Sequence, residues 1–340
     1  MRGASSRCAA LSLDMNDWRI IGHGWAVRRL RSAIADGQLA QSHLFVGPPA
    51  IGKAALAHAT ARAVLGHDER TRRLVDQNKH PDLTLVQPDG DSIKVDQVRE
   101  LLRALTLAPV ESRRRVAIID QAHLMTDGGK NAILKTLEEP NPSVVMILIA
   151  PSVDAVLPTI SSRCQVLNLR PAPITDIEQA LIERGLGSER AEFIARLSRG
   201  RAGWALRVID DESLLEARQQ RLDDLLALLD SNHTARFAFA EKLARTDAEV
   251  IDATLEEWLL LWRDVTRVAA GDAVERILNI DRREVIVALA EQIDVGGASA
   301  MLQAVGETQK QIDRNVNARL ALDVLLLKLP RLTHLPDPVA

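Results

Sequence analysis

A glycine-rich loop occupies Gly47–Lys53, in the order Gly, four residues, Gly, Lys, and Ala54 follows it. Loops with this spacing present backbone N–H groups to phosphates, and their lysine reaches the outer phosphates of a nucleotide. The next residue is ordinarily Ser or Thr, whose hydroxyl binds Mg²⁺, and the methyl group of Ala54 cannot do so. We predict a degenerate nucleotide site at Gly47, Gly52 and Lys53 that binds ATP or ADP weakly at most. The alternative is a glycine turn that never contacts a phosphate.

The second half of such a site is an apolar strand that ends in acidic residues. Here Ile118 and Ile119 precede Asp120, and Gln121 stands where an acid would polarise the attacking water. An amide is too weak a base to take that proton. Asp120 alone could be a strand-end acid that caps a loop, but with the glycine loop it indicates a degenerate magnesium site. Together, Ala54 and Gln121 predict a chain that does not hydrolyse ATP by itself.

An arginine lies just before the last predicted strand, in the segment Ser162-Arg163-Cys164. Taken alone, Arg163 would be interpreted as a solvated surface residue. In ring-forming nucleotide machines, however, an arginine at this edge of the sheet faces the phosphate of the neighbouring subunit. A planar, permanently charged fork suits a γ-phosphate in the transition state. Arg163 is therefore a candidate catalytic residue for a neighbour's site.

Short apolar runs alternate with helical patterns through the first half of the chain. This alternation predicts a parallel sheet covered by helices on both faces. After Pro171 and Pro173 the strand pattern ends, and residues 174–210 and 213–329 are helical in period. Trp258 and Trp262 fall on one helical face, where they belong either to a core or to an interface. The predicted strands are residues 44–46, 83–86, 116–119, 144–149 and 166–169.

Charge and composition limit the class of function. Lys and Arg number 43 against 46 Asp and Glu, a formal net charge of -3, which argues against tight DNA binding by the chain alone. The cysteines are Cys8 and Cys164, too few for a disulfide framework or a four-cysteine zinc site. No apolar run approaches the ~20 residues of a membrane span, and no signal peptide is evident. We expect a cytoplasmic protein with no membrane partner.

Several blocks, taken in order, resemble the delta-prime type of bacterial replicative clamp-loader subunit, within the AAA+ family. The most specific block is Asn131–Pro140, and Leu157–Cys164 carries the Ser-Arg-Cys motif of these subunits. The resemblance extends from about Trp18 to Leu329 and is weaker between residues 175 and 300. The other blocks are Ile20–His23, Gly47–Lys53, His80–Asp82, Val95–Arg99 and Asn315–Leu320.

The resemblance implies an α/β fold: an AAA+ parallel-sheet P-loop module at 18–170, a small helical lid at 171–212 and an all-α collar domain at 213–332. Residues 1–17 and 333–340 would be tails. The implied partners are the loader's ATPase subunits (gamma/tau) and its delta subunit, with the sliding clamp and primer-template DNA contacted through the complex.

The resemblance also implies roles for single residues. Arg163 would be an arginine finger, with Ser162 and Cys164 completing its motif. Lys130, at the start of a helix, would contact a DNA phosphate, although a solvated lysine is an equal alternative. Gly203 stands where motor subunits carry a nucleotide-sensing arginine. The segment between the loop and His80 lacks the four cysteines of the family's zinc module, so we expect no zinc and no required cofactor.

The departures at Ala54, Gln121 and Gly203 fit a non-hydrolysing subunit. Two other functions stay open at this point. One is an active motor ATPase of the same loader, and the other is a stand-alone DNA-binding regulator.

Overall fold

Five parallel strands form the sheet that carries the glycine loop in the computed structural model, which describes residues 18–66, 68–314 and 316–332. The predicted tails at 1–17 and 333–340, with Cys8, lie outside the described residues, as does Asn315 of the C-terminal block. The spatial order of the strands is β2-β3-β4-β1-β5, and every pair is parallel. The strands are β1 (Ser42–Val46), β2 (Leu83–Val86), β3 (Arg115–Ile119), β4 (Val144–Ala150) and β5 (Gln165–Asn168).

The sheet is buried on both faces, as its uninterrupted apolar strands predict. Successive residues of β1 point to opposite faces, so that Phe45 joins the core on one side while Leu44 and Val46 join the core on the other. The covering elements of this half are α1 (Gly24–Ala35), α2 (Lys53–Leu65), α3 (Glu69–Asp76), α4 (Val95–Thr106), α5 (Asp127–Glu138) and the single turn α6 (Pro158–Ser161). The predicted α/β class is confirmed.

A buried carboxylate fixes the loop between α4 and β3. Asp82 accepts hydrogen bonds from the backbone amides of Val110, Glu111 and Ser112, at 2.7, 2.8 and 2.8 Å. Burial opposes ionisation of Asp82, but these three amides and the charge of Arg115 outweigh it and hold the pKa below its usual value. The His-Pro-Asp block noted in the sequence therefore has a structural function here.

The rest of the described chain is helical. Trp258 and Trp262 are both fully buried in its core, and the indole Nε1 of Trp258 donates to the carbonyl of Arg221 at 2.8 Å, so both are core residues. The helices are α7 (Ile174–Ile182), α8 (Ser188–Ser198), α9 (Ala202–Asp210), α10 (Ser213–Leu229), α11 (His233–Leu243), α12 (Ala248–Ala269), α13 (Arg283–Gln292), α14 (Val295–Asp313) and α15 (Ala318–Lys328).

The described residues separate into two units. The first runs to Gly185 and also includes Gly200–Trp204; the second consists of Leu186–Arg199 and everything from Ala205 onwards. The division passes through the segment predicted to be a lid, so the boundaries at 170 and 212 stay predictions. Within the described part of the chain, no single helix has the length and hydropathy of a membrane span. One pair of helices, joined by a 117° bend, has that length and hydropathy only when the two are taken together.

Candidate nucleotide loop and arginine site

The glycine loop joins β1 to α2 in a conformation that requires its glycines. Gly47 has φ 148°, and a Cβ atom there would lie 2.4 Å from the carbonyl oxygen of Leu169. Gly52 has φ 106°, a left-handed conformation that costs glycine little, and it immediately precedes α2. The loop therefore has the strand-loop-helix placement expected of a phosphate-binding loop.

The lysine of the loop is bound to the loop itself. Lys53 Nζ donates to the carbonyl oxygens of Gly47 and Pro48, at 2.5 and 2.7 Å. Burial lowers the pKa of Lys53 to about 8, and the carboxylate of Asp120 opposes that shift. The amine is thus still protonated at neutral pH, with two of its N–H groups already engaged.

Two more distant residues hold the tip of the loop. The backbone N–H of Gly203, at the start of α9, donates to the carbonyl of Ala50 at 2.7 Å. His23 Nε2 lies 2.8 Å from the carbonyl of Ile51, which can only accept, so Nε2 carries the proton. Neither contact was predicted, because residues so far apart in sequence share no periodic pattern.

The acidic half of the site follows β3. Asp120 accepts a hydrogen bond from the backbone amide of Gln121 at 3.0 Å, and Gln121 itself is exposed with φ 51°. Ala54 lies exposed in the first turn of α2. The structure therefore brings Lys53 and Asp120 into electrostatic contact at one edge of the sheet, and neither a hydroxyl at position 54 nor an acid at position 121 accompanies them.

Arg163 follows the short helix α6 and is held by two elements. Its Nη2 donates to Glu138 Oε1 at 2.7 Å, and its Nη1 donates to the carbonyl of Thr159 at 2.8 Å and more weakly to Ser162 Oγ at 3.4 Å. The Arg163 side chain is 35% exposed. The guanidinium is thus partly accessible and oriented by its neighbours.

Arg163 and the glycine loop lie at opposite ends of the strands, Arg163 at the amino ends and the loop at the carboxyl ends. In the parallel register of β1 and β5, His43 pairs with Gln165 and Val46 with Asn168. Arg163 precedes the amino end of β5, whereas Gly47 follows the carboxyl end of β1. Strand residues rise about 3.3 Å each, so a span of roughly 10 Å or more separates the two groups. Arg163 is therefore badly placed to serve the loop of its own chain.

Of the other two motif residues, Ser162 contacts Arg163, whereas Cys164 packs against the core. Cys164 packs partly buried against the core, and burial raises the pKa of its thiol to about 11, which leaves it protonated and unreactive at neutral pH. The hydroxyl oxygen of Ser162 accepts a long hydrogen bond from Arg163 Nη1, at 3.4 Å. The sequence did not single out Glu138, although the Asn131–Pro140 block contains it.

Lys130 is less open than a free DNA-binding lysine would be. Its side chain is 21% exposed, and Nζ lies 3.4 Å from Asp127 Oδ1 one helical turn away. The proposed DNA contact stays a prediction. Across residues 18–66, 68–314 and 316–332, no three His, Cys, Asp or Glu side chains are grouped as metal ligands would be.

Two family models match this chain over most of its length. The model described as "DNA polymerase III, delta subunit" matches residues 22–173, and "DNA polymerase III, delta subunit, C terminal" matches residues 212–330. Of solved structures, a gamma subunit-related protein from Thermotoga maritima is 18% identical, covers 89% of this chain and 99% of its own, and has a TM-score of 0.43.

Curated relatives include DNA polymerase III subunit delta' of Bacillus subtilis, 29% identical over 89% of this chain and 94% of the relative. The delta' subunit of Pseudomonas aeruginosa is 28% identical over 88% and 94%. The tau/gamma subunit of Haemophilus influenzae is 27% identical over 91% of this chain but only 48% of its own length. With both family models and full-length delta' relatives in agreement, the chain belongs to the delta' family of DNA polymerase III clamp-loader subunits.

Proposed function

We propose that this chain is a non-hydrolysing member of the clamp loader that completes the ATPase site of a neighbouring subunit with Arg163. The complex uses ATP to place the sliding clamp on primer-template DNA, and this chain contributes the arginine finger at one interface. Its partners are the gamma/tau ATPase subunits and the delta subunit, and a cytoplasmic location follows from that role.

The observation that carries the proposal is the position of Arg163. The guanidinium is partly exposed and oriented, and it lies at the opposite edge of the sheet from the loop of its own chain. A group so placed can act only on a phosphate that another molecule brings to it. Arginine suits that task because its planar fork binds two phosphate oxygens and is always charged.

The chain's own loop supports the non-hydrolysing half of the proposal. The methyl group of Ala54 cannot bind Mg²⁺, and the amide of Gln121 cannot take a proton from water. Lys53 Nζ already donates hydrogen bonds to two carbonyl oxygens of the loop, which a phosphate would have to replace. ATP or ADP binds weakly at most, and the chain requires neither a cofactor nor zinc. Any DNA contact by Lys130 would be made inside the complex.

The test is Arg163→Ala in a reconstituted loader, with clamp- and DNA-stimulated ATPase and clamp loading as readouts. An arginine finger contributes about 10³–10⁵ in rate at its site, roughly 4–7 kcal/mol. We expect loss of hydrolysis at one interface, a partial fall in total ATPase and a larger fall in loading.

Arg163→Lys is the matched control for charge. It should rescue poorly, since a point charge cannot reproduce the fork. Gel filtration must show that every complex assembles. Normal ATPase and loading with Arg163→Ala in a fully assembled complex would return Arg163 to an ordinary surface arginine.

A further inference from the structure

We propose that Glu138 is a positioning residue for Arg163: it holds the guanidinium in the orientation in which a neighbour's phosphate meets it. This inference rests on the proposed function of Arg163 as a finger and assigns a task to the last residue of α5. Glu138 itself would touch neither ATP nor the reacting atoms.

The contact joins the ends of two helices. Glu138 is the final residue of α5, and its Oε1 accepts from Arg163 Nη2 at 2.7 Å. The carbonyl of Thr159, in α6, accepts from Nη1 at 2.8 Å. With acceptors fixed on two separate elements, the plane of the guanidinium is set from both sides rather than by its own flexible stem.

The remaining donors of Arg163 suit an anion. A guanidinium has five N–H groups. Glu138 uses one on Nη2, while Thr159 and Ser162 lie within reach of Nη1. Among the described residues, Nε–H and the second N–H of Nη2 have no hydrogen-bond acceptor. These two donors can hydrogen-bond to phosphate oxygens. Glu138 thus orients the arginine without occupying all of its donors.

The solvent exposure of the Arg163–Glu138 ion pair indicates that it orients Arg163 and contributes little to the stability of the fold. The Arg163 and Glu138 side chains are 35% and 51% exposed. Solvent-exposed ion pairs contribute little to folding, so replacing Glu138 should leave the chain folded. Placement of a catalytic group is far more sensitive, because a misplacement of about 1 Å can lower a rate by about 10²-fold.

The experiment uses an assembled loader in which the motor subunits carry Ala at their own corresponding finger arginines, so that the measured ATPase reports the interface served by this chain. The variants are Glu138→Ala, Glu138→Gln, Arg163→Ala and Glu138→Ala with Arg163→Ala. Glu139→Ala, at the exposed adjacent residue, is the matched control. Circular dichroism and gel filtration check folding and assembly.

We expect Glu138→Ala to lower kcat by about 10-fold or more with the KM for ATP unchanged, because ATP is bound by the neighbour's loop. Glu138→Gln keeps an acceptor and should lose less, and Glu139→Ala should stay within about twofold of wild type. The double variant should be no slower than Arg163→Ala alone, since Glu138 acts only through Arg163.

Each contrary result has its own meaning. Wild-type kcat with Glu138→Ala, while Arg163→Ala is slow, overturns the positioning role and leaves the proposed function intact. Additive losses in the double variant, or an equal loss with Glu139→Ala, also overturn it. Wild-type kcat with Arg163→Ala overturns the proposed function, and this inference with it.

Discussion

The chain keeps the residues that shape a phosphate loop, Gly47, Gly52 and Lys53. Two features of Lys53 nevertheless weaken phosphate binding: its hydrogen bonds within the loop and its burial. A phosphate must draw Lys53 Nζ away from the carbonyls of Gly47 and Pro48 and must meet it charged. Burial already lowers the pKa of Lys53 to about 8, so the charged amine is held less favourably than on an open surface. Neither effect can be read from the loop motif, and nucleotide binding at these residues stays a prediction.

A buried histidine makes the sheet sensitive to acid. His43, in the interior strand β1, is fully buried beside Phe45, and burial lowers its pKa from 6.5 to about 4 against a smaller opposing effect of the Ala40 backbone. The unfolded chain therefore binds a proton between these two values that the folded chain does not. Stability is full above pH 6.5 and falls as the pH drops towards 4. Between pH 7.5 and 5 we expect a loss of about 2 kcal/mol from this residue.

The measurement is urea unfolding at both pH values for wild type and His43→Leu, a change of similar volume that removes the titrating group. The difference in pH dependence between the two proteins isolates His43 from the carboxylates that titrate in the same range. Equal pH dependence in both proteins would show that His43 is protonated at little cost in the folded chain.

At the scale of elements, the start of α9 acts on the glycine loop. The Gly203 amide donates to the Ala50 carbonyl, and a Cβ atom at position 203 would lie 2.8 Å from that same oxygen. Since the obstacle is backbone, relief requires the loop to shift. We expect Gly203→Ala to lower the free energy of unfolding by about 1–3 kcal/mol. Gly203→Arg should lower it at least as much and should not create a nucleotide sensor.

Gly187→Ala is the control for this change. Gly187 precedes α8 with φ -63°, and no atom stands within 4 Å of a Cβ atom built there. It should cost only a fraction of the loss at Gly203. Thermal unfolding of both variants decides the matter, and equal midpoints would mean that the contact between α9 and the loop is easily remodelled.

The same scale shows what the sequence could and could not predict. Apolar runs located all five strands to within a few residues, and the helical period of residues 174–210 and 213–329 indicated the helical part of the chain, because each burial pattern is local. The contacts of His23, Gly203 and Glu138 were missed, since each joins residues far apart in the chain through hydrogen bonds that leave no period in the sequence. The tryptophans of α12 were left open because a helical stripe looks alike in a core and at an interface; the structure buries both.

For the whole molecule, the glycine loop and the candidate arginine finger lie at opposite ends of the strands. The loop, Lys53 and Asp120 lie at the carboxyl edge, and Arg163 lies at the amino edge. Arg163 is therefore badly placed to serve the loop of its own chain, which also lacks the hydroxyl at position 54 and the acid at position 121. Hydrolysis at the rate of a motor subunit would require all three groups together.

The last prediction follows from these missing groups. The isolated chain should hydrolyse no ATP above background, and Ala54→Thr alone should not change that, because Gln121 still supplies no base. Ala54→Thr combined with Gln121→Glu would restore the metal ligand and the base but not the arginine, which is worth about 10³–10⁵ in rate. We expect that double variant to remain far slower than a motor subunit. Single-turnover hydrolysis with the chain in excess over ATP measures each rate, with Lys53→Met as the baseline. A wild-type rate that matches a motor subunit and disappears with Lys53→Met would mean that this chain is itself a motor.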